Sequence, residues 1–169
     1  MPWPDFSELS FGFAFLREFE RRHTLGGTFP SAPDFISQND EAKKGYDVSV
    51  LQGSTPVFFQ FKRSFVIKSP LASEISCGDF NSPVLYRMYL RRKNKYQQHR
   101  ALQKLEADGN AALYVTSQIE THDDLTQAYT AGTVVEKAAA LFAPSEINLP
   151  DLSKEHWLCF RASDATRIV

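Results

Sequence analysis

The stretch that most constrains this chain is Tyr46 to Lys62. Tyr46-Asp47-Val48-Ser49-Val50-Leu51 alternates as a strand does, and Gln52-Gly53-Ser54-Thr55 carries turn residues. Pro56-Val57-Phe58-Phe59-Gln60-Phe61-Lys62 is rich in β-forming residues. Two extended runs so closely spaced predict an antiparallel hairpin. Side chains alternate faces along a strand, so Gln60 and Lys62 point to the same side. The hairpin lays the strand of Asp47 beside theirs, and a carboxylate, an amide oxygen and an ammonium then converge on one spot. Phe58, Phe59 and Phe61 fix the strand and pack the lysine stem.

Around this hairpin the pattern is α/β or α+β. Asp5 to His23 reads as an amphipathic helix with Leu9, Phe13, Leu16 and Phe19 near helical spacing. Asp5 and Glu8 form a capping-box pattern, and Arg17, Arg21 and Arg22 suit the helix's carboxyl end. Thr28 to Gln38 reads as a loop broken by Pro30 and Pro33, and Glu41, a rival carboxylate six residues before Asp47, fits better in a solvated loop with Asp40, Lys43 and Lys44. Ser64 to Ile67 continues the second strand or forms a short third piece, residues 69–82 are loop-like, and Val84 to Leu90 alternates again. Asn94 to Ala107 predicts a helix capped by Asn94 and stopped by Asp108-Gly109. Ala111 to Thr116 predicts a strand, Asp123 to Thr130 a helix, and Trp157 to Arg161 a last strand, while Thr133 to Phe142 fits strand or helix equally.

Composition removes several function classes. The chain has 169 residues, 43% of them hydrophobic, which suits one globular domain over 1–169. It holds no apolar run long enough for a membrane span, no secretory leader pattern and no Gly-rich phosphate loop. No serine stands in a hydrolase pattern, and His23, His122 and His156 match no zinc spacing. Cys77 and Cys159 read as a loop thiol and a buried thiol, both reduced, in a cytoplasmic protein. The net charge is -1, so a polyanionic partner must be held by a local patch. Such a patch exists in Arg87, Arg91, Arg92, Lys93, Lys95, Arg100 and Lys104, interleaved with Tyr86, Tyr89 and Tyr96. It suits a phosphate backbone, and it equally suits a solvated strand end and helix face.

Asp47, Gln60 and Lys62, with Glu8 from the leading helix as a second carboxylate, suit metal-assisted phosphodiester hydrolysis. Carboxylate and carbonyl oxygens are hard ligands for Mg²⁺. The metal polarises a phosphate and acidifies a bound water, and a lysine beside it stabilises developing charge. For Glu8 the capping box is a sufficient explanation as well.

Gly45-Tyr46-Asp47, followed by Pro56-Val57-Phe58-Phe59-Gln60-Phe61-Lys62-Arg63-Ser64, resembles the core of the PD-(D/E)xK nuclease superfamily in its Gln-x-Lys variant. Tyr46 stands where the family's name has proline, and the neutral Gln60 leaves one carboxylate fewer. The order of helix, hairpin, helix and strand extends the resemblance over about residues 5–116. It implies a restriction-endonuclease-like core, a mixed central β-sheet flanked by helices. Asp47 would be the main metal ligand, Gln60 the second, Glu8 a third from the leading helix, and Lys62 the catalytic lysine. Gln98 or His99 would support the site from the following helix. The cofactor implied is Mg²⁺ or Mn²⁺, and the activity is DNA cleavage in a defence, restriction or mobile-element setting. A homodimer or larger complex would serve double-strand cutting. The competing expectation is a weakened nuclease fold that binds nucleic acid or a protein partner.

Overall fold

The computed structural model describes residues 3–69, 84–161 and 167–168. The chain opens with helix α1 (Glu8–His23), followed by strand β1 (Asp34–Phe35) and helix α2 (Gln38–Lys44). The hairpin is β2 (Val48–Gln52) and β3 (Thr55–Lys62), antiparallel with Val48 opposite Phe59. After Arg63 come β4 (Ser64–Ile67) and β5 (Leu85–Leu90), then α3 (Lys93–Ala107) and β6 (Ala111–Ser117). Helix α4 (His122–Ala131), a π-helical turn at Val134–Ala138, β7 (Ala139–Phe142), β8 (His156–Phe160) and β9 (Arg167–Ile168) complete the order.

Two sheets result. The first is mixed and has the order β1-β2-β3-β6-β7. Among the described strands only β3 and β6 pair in parallel, with Val57 beside Ala111 and Lys62 beside Thr116, and the chain between them passes through β4, β5 and α3. A parallel pair needs such a crossover. The second sheet, β4-β5-β8-β9, is antiparallel throughout. Ser64 to Ile67 is therefore the first strand of a new sheet that the hairpin pattern does not announce. The chain passes from one sheet to the other at Arg63, where buried Ser64 donates its hydroxyl to the Ser117 carbonyl at the end of β6.

Alternation along β3 sorts the first sheet's layers. Val57, Phe59 and Phe61 meet Phe11, Phe15 and Phe19 of α1, with Phe15 edge-on to Phe59 at 5.4 Å between ring centres. Leu125 of α4 and Val115 of β6 join this core. Phe58 lies on the other face with Ala112 and Tyr114, under Tyr96 and Leu102 of α3. Helices thus cover both faces of a mixed sheet, the α/β arrangement expected. Burying each large apolar side chain is worth about 1.5–3 kcal/mol, so the phenylalanine layer holds α1 firmly in place. Gly12 lets that helix approach closely, because a Cβ there would lie 3.2 Å from the Phe61 ring.

Local details depart from the expectations in instructive ways. Ser7, not Asp5, caps α1, its hydroxyl accepting from the Ser10 amide at 2.9 Å. Asp5 instead accepts from the His122 amide at the start of α4. Asn94 is no N-cap: Asn94, Lys95 and Tyr96 take left-handed backbone angles, with φ from 52° to 60°. The region 28–38 contains β1 and the start of α2, and Thr133 to Phe142 divides into a helical turn and a strand. Residues 70–82 of the expected loop, with Cys77, lie outside the described residues, and Cys159 is buried. No helix among the described residues is long and apolar enough to cross a membrane.

Candidate active site

The site forms at the carboxyl end of β3. Asp47 immediately precedes β2, and antiparallel pairing sets it beside the end of β3, where its amide donates to the Phe59 carbonyl. Gln60 and Lys62 project from β3 to the face covered by α3, as alternation requires. Because α3 ends next to the start of β6, it runs back along β3, and its first turns lie beside this same edge. Glu8 reaches the edge from the amino end of α1, accepting from the Arg63 amide at 3.2 Å.

Hydrogen bonds lock the centre of the cluster. Asp47 Oδ2 accepts from Gln60 Nε2 at 2.7 Å and from the Phe61 amide at 2.6 Å. Gln60 Oε1 accepts from Gln98 Nε2 at 2.8 Å, and Gln98 Nε2 also donates to Glu41 Oε1 at 2.5 Å. Gln60 is fully buried and has its amide nitrogen toward Asp47, so it orients the acid and does not aim its oxygen beside it. This departs from the ligand role expected for Gln60. Buried amides of this kind keep their geometry because an unmade bond costs about 1–3 kcal/mol.

Glu41 corrects the sequence reading. It lies on helix α2, not in a solvated loop, and its carboxylate is held by Gln98 from α3. The signal in the sequence is the short spacing Glu41-x-x-x-Gly45-Tyr46-Asp47. Gly45 closes α2 at φ 87°, in left-handed backbone, and its amide bonds the Glu41 carbonyl at 2.8 Å. That cap turns the chain sharply and returns both acids to one place. Of the two residues expected as alternatives on this helix, Gln98 is the one that bonds Glu41 and Gln60. His99 is instead engaged with the Tyr114 hydroxyl and the Ile147 carbonyl.

The electrostatics follow from this crowding. Burial pushes Asp47 up to about 7; Lys62 and the Phe61 amide oppose the rise, and Glu41 and Glu8 add to it. Burial also raises Glu8, again opposed chiefly by Lys62, with Glu41 adding to the rise. Lys62 thus acts on Asp47 and Glu8, and Glu41 lies near both of those acids, so carboxylates from α1, α2 and the start of β2 gather at one edge. Among the described residues, no group of three acidic, histidine or cysteine side chains forms a ready-made metal cage. An ion held here would keep several waters, which is the habit of Mg²⁺.

The basic stretch divides. Arg87 lies on β5 with its guanidinium 5.1 Å from the ring centre of Trp157, in the second sheet. Arg91, Arg92, Lys93, Lys95 and Arg100 are exposed on the turn into α3 and along it, and Arg100 donates to the Asn94 carbonyl. Comparison with protein-family models, curated proteins and solved structures finds no match, which leaves the chemistry of these residues to carry the functional reading.

Proposed function

We propose that this chain is a divalent-metal-dependent nuclease that hydrolyses DNA phosphodiester bonds. The observation that carries the reading is the meeting of Glu8, Glu41 and Asp47 with Lys62 at the edge where β3 ends. Like charges gathered in a half-buried site raise one another's proton affinity, and a cation relieves that cost. The oxygens of Asp47, Glu41 and Glu8 are hard donors of the kind Mg²⁺ or Mn²⁺ takes. As placed they form no three-ligand group, so an ion here would take one or two of them and complete its shell with water. When bound, the ion polarises a phosphate oxygen and acidifies a water.

The protein's own groups do the rest. Gln60 and the Phe61 amide hold Asp47 Oδ2 in one orientation, and Gln98 ties Gln60 to Glu41. Fixed acids lose no reorganisation energy when a phosphate arrives. Lys62 supplies positive charge to the phosphate oxygens on which negative charge develops. The exposed cations at the start of α3 suit the flanking backbone, an attraction that weakens with salt. The order of α1, the β2–β3 hairpin, α3 and β6 supports the resemblance to the PD-(D/E)xK nucleases, with Glu41 in place of the acid that Gln60 lacks.

A cleavage assay on plasmid and linear DNA with Mg²⁺ or Mn²⁺ tests this. Wild type should cut, chelator should stop it, and Lys62→Ala should lose roughly 100-fold or more, as expected for removing a group that stabilises transition-state charge. Equal cutting by wild type and Lys62→Ala would refute the assignment.

A further inference from the structure

A groove of about 800 Å³ runs from the carboxylates across the first turns of α1. Most of its lining is apolar and open: Leu9 is 73% exposed, Phe13 60%, Phe35 55% and Tyr129 40%. The rings of Phe13 and Tyr129 stand 6.5 Å apart, so α1 and α4 present one apolar surface. Helix α1 already buries Phe11, Phe15 and Phe19 against the sheet, and Leu9 and Phe13 add nothing to that core. An exposed apolar cluster of this kind marks a contact surface. The other part of the groove carries Glu8, Glu41 and Asp47, and among the described residues its lining holds no lysine or arginine. Lys62, outside that lining, offsets only part of the negative charge.

We infer that this groove docks a segment of a partner protein, with apolar side chains along Leu9, Phe13, Phe35 and Tyr129 and a lysine or arginine reaching the carboxylates. Charge complementarity selects this occupant. A wholly apolar segment would strip water from the acids and leave them unpaired. A polyanion, whether nucleic acid or an anionic lipid surface, would bring phosphates against them. A cation carried on an apolar segment suits both parts of the groove, and the acids repel segments of the wrong charge. The partner's cation then stands among the acids that would hold a divalent ion, so segment and ion exclude one another. The partner is therefore an inhibitor of the centre proposed above, and that role rests on the nuclease reading.

The test is selection of random short peptides, displayed on phage, by metal-free wild type, with Phe13→Ala as the counter-selection. Phe13 and Tyr129 are exposed, so variants there leave the core intact. Enriched sequences should set a lysine or arginine among apolar residues. The strongest binder, made synthetically and labelled, should lose about tenfold or more in affinity when its cation is replaced by a neutral residue of similar length, because the acids are then left unpaired. Tyr129→Ala should weaken it about fivefold or more, the scale of one interface anchor. Saturating Mn²⁺ should displace it. No enrichment over Phe13→Ala, enriched sequences without a cation, or unchanged binding by Tyr129→Ala overturns the inference. So does a wild-type dimer in sedimentation that becomes a monomer in Phe13→Ala, because the groove then seats a second copy. A large loss of DNA cleavage in Phe13→Ala also overturns it, because the groove then holds substrate. The two readings fail separately. Cation-dependent peptide binding by a protein that binds no Mn²⁺ and cuts no DNA keeps the groove and removes the centre. Mn²⁺-dependent cleavage that the bound peptide leaves unchanged keeps the centre and removes the inhibitor.

Discussion

Asp47 carries the tension of the site. It has lost solvent and has two carboxylate neighbours, and Lys62 offsets only part of this, so its proton is held to about pH 7. A folded-state pKa above the unfolded one means that the folded protein binds the extra proton. The contribution of Asp47 to stability is then fully present below about pH 4 and is lost as the pH rises through about 7. Without divalent cation the thermal midpoint should fall across that window, and Asp47→Asn should flatten the fall. The isosteric amide keeps an oxygen for the Phe61 amide and removes the repulsion, so above about pH 7 the variant should melt higher than wild type while losing cleavage. A variant that melts lower there would mean that the carboxylate is satisfied without a cation. The sequence makes Asp47, Gln60 and Lys62 legible because strand alternation and hairpin pairing are local rules. It cannot give the direction of the Gln60 amide, which depends on Gln98 some 38 residues away.

At the scale of elements, the joint between α2 and β2 does most to build the site. Gly45 has φ 87°, and a Cβ there would lie 2.6 Å from the Leu102 amide nitrogen and 2.8 Å from the Gln98 carbonyl. Gly45→Ala should therefore cost about 2–4 kcal/mol, or roughly 5–15 °C in thermal midpoint, from left-handed strain and backbone collision together. An unchanged midpoint would show that α2 and α3 are not packed this way. Gln98 bridges Glu41 and Gln60, so Gln98→Ala should weaken divalent-ion binding about 10- to 100-fold, the usual effect of removing a group that orients metal-binding acids. Titration calorimetry reads this directly, and undiminished binding would make Gln98 merely a packing residue. The sequence reads as loop over 28–38 and as solvated at Glu41 because α2 is short and lacks an apolar face, and the Glu41-x-x-x-Gly45-Tyr46-Asp47 spacing is the one local sign that the two acids meet. The packing of α2 on α3 then fixes the Glu41 carboxylate through Gln98. The N-cap of α1 escapes the sequence for a similar reason. Asp5 and Ser7 are both competent caps, and the contact of Asp5 with the distant His122 amide decides between them.

For the molecule as a whole, the layers follow from periodicity and the second sheet does not. Val57, Phe59 and Phe61 on one side of β3, against Phe58 and Gln60 on the other, suffice to place α1 and α3 on opposite faces. The pairing of β4 with β5 and of β5 with β8 joins segments far apart in sequence, which no local pattern specifies. The resulting molecule gathers acids from the amino end of α1, from α2 and from the start of β2, so the site exists only in the folded state. A ligand that binds only the folded state raises the thermal midpoint. Millimolar Mg²⁺ or Mn²⁺ should do so for wild type and not for Asp47→Asn. The most direct measurement is calorimetric titration of Mn²⁺ into folded, metal-free wild type and Asp47→Asn. Saturable binding by wild type that is lost or greatly weakened in the variant is the result expected. No binding by folded wild type, or equal binding by both proteins, would contradict a metal centre built on Asp47.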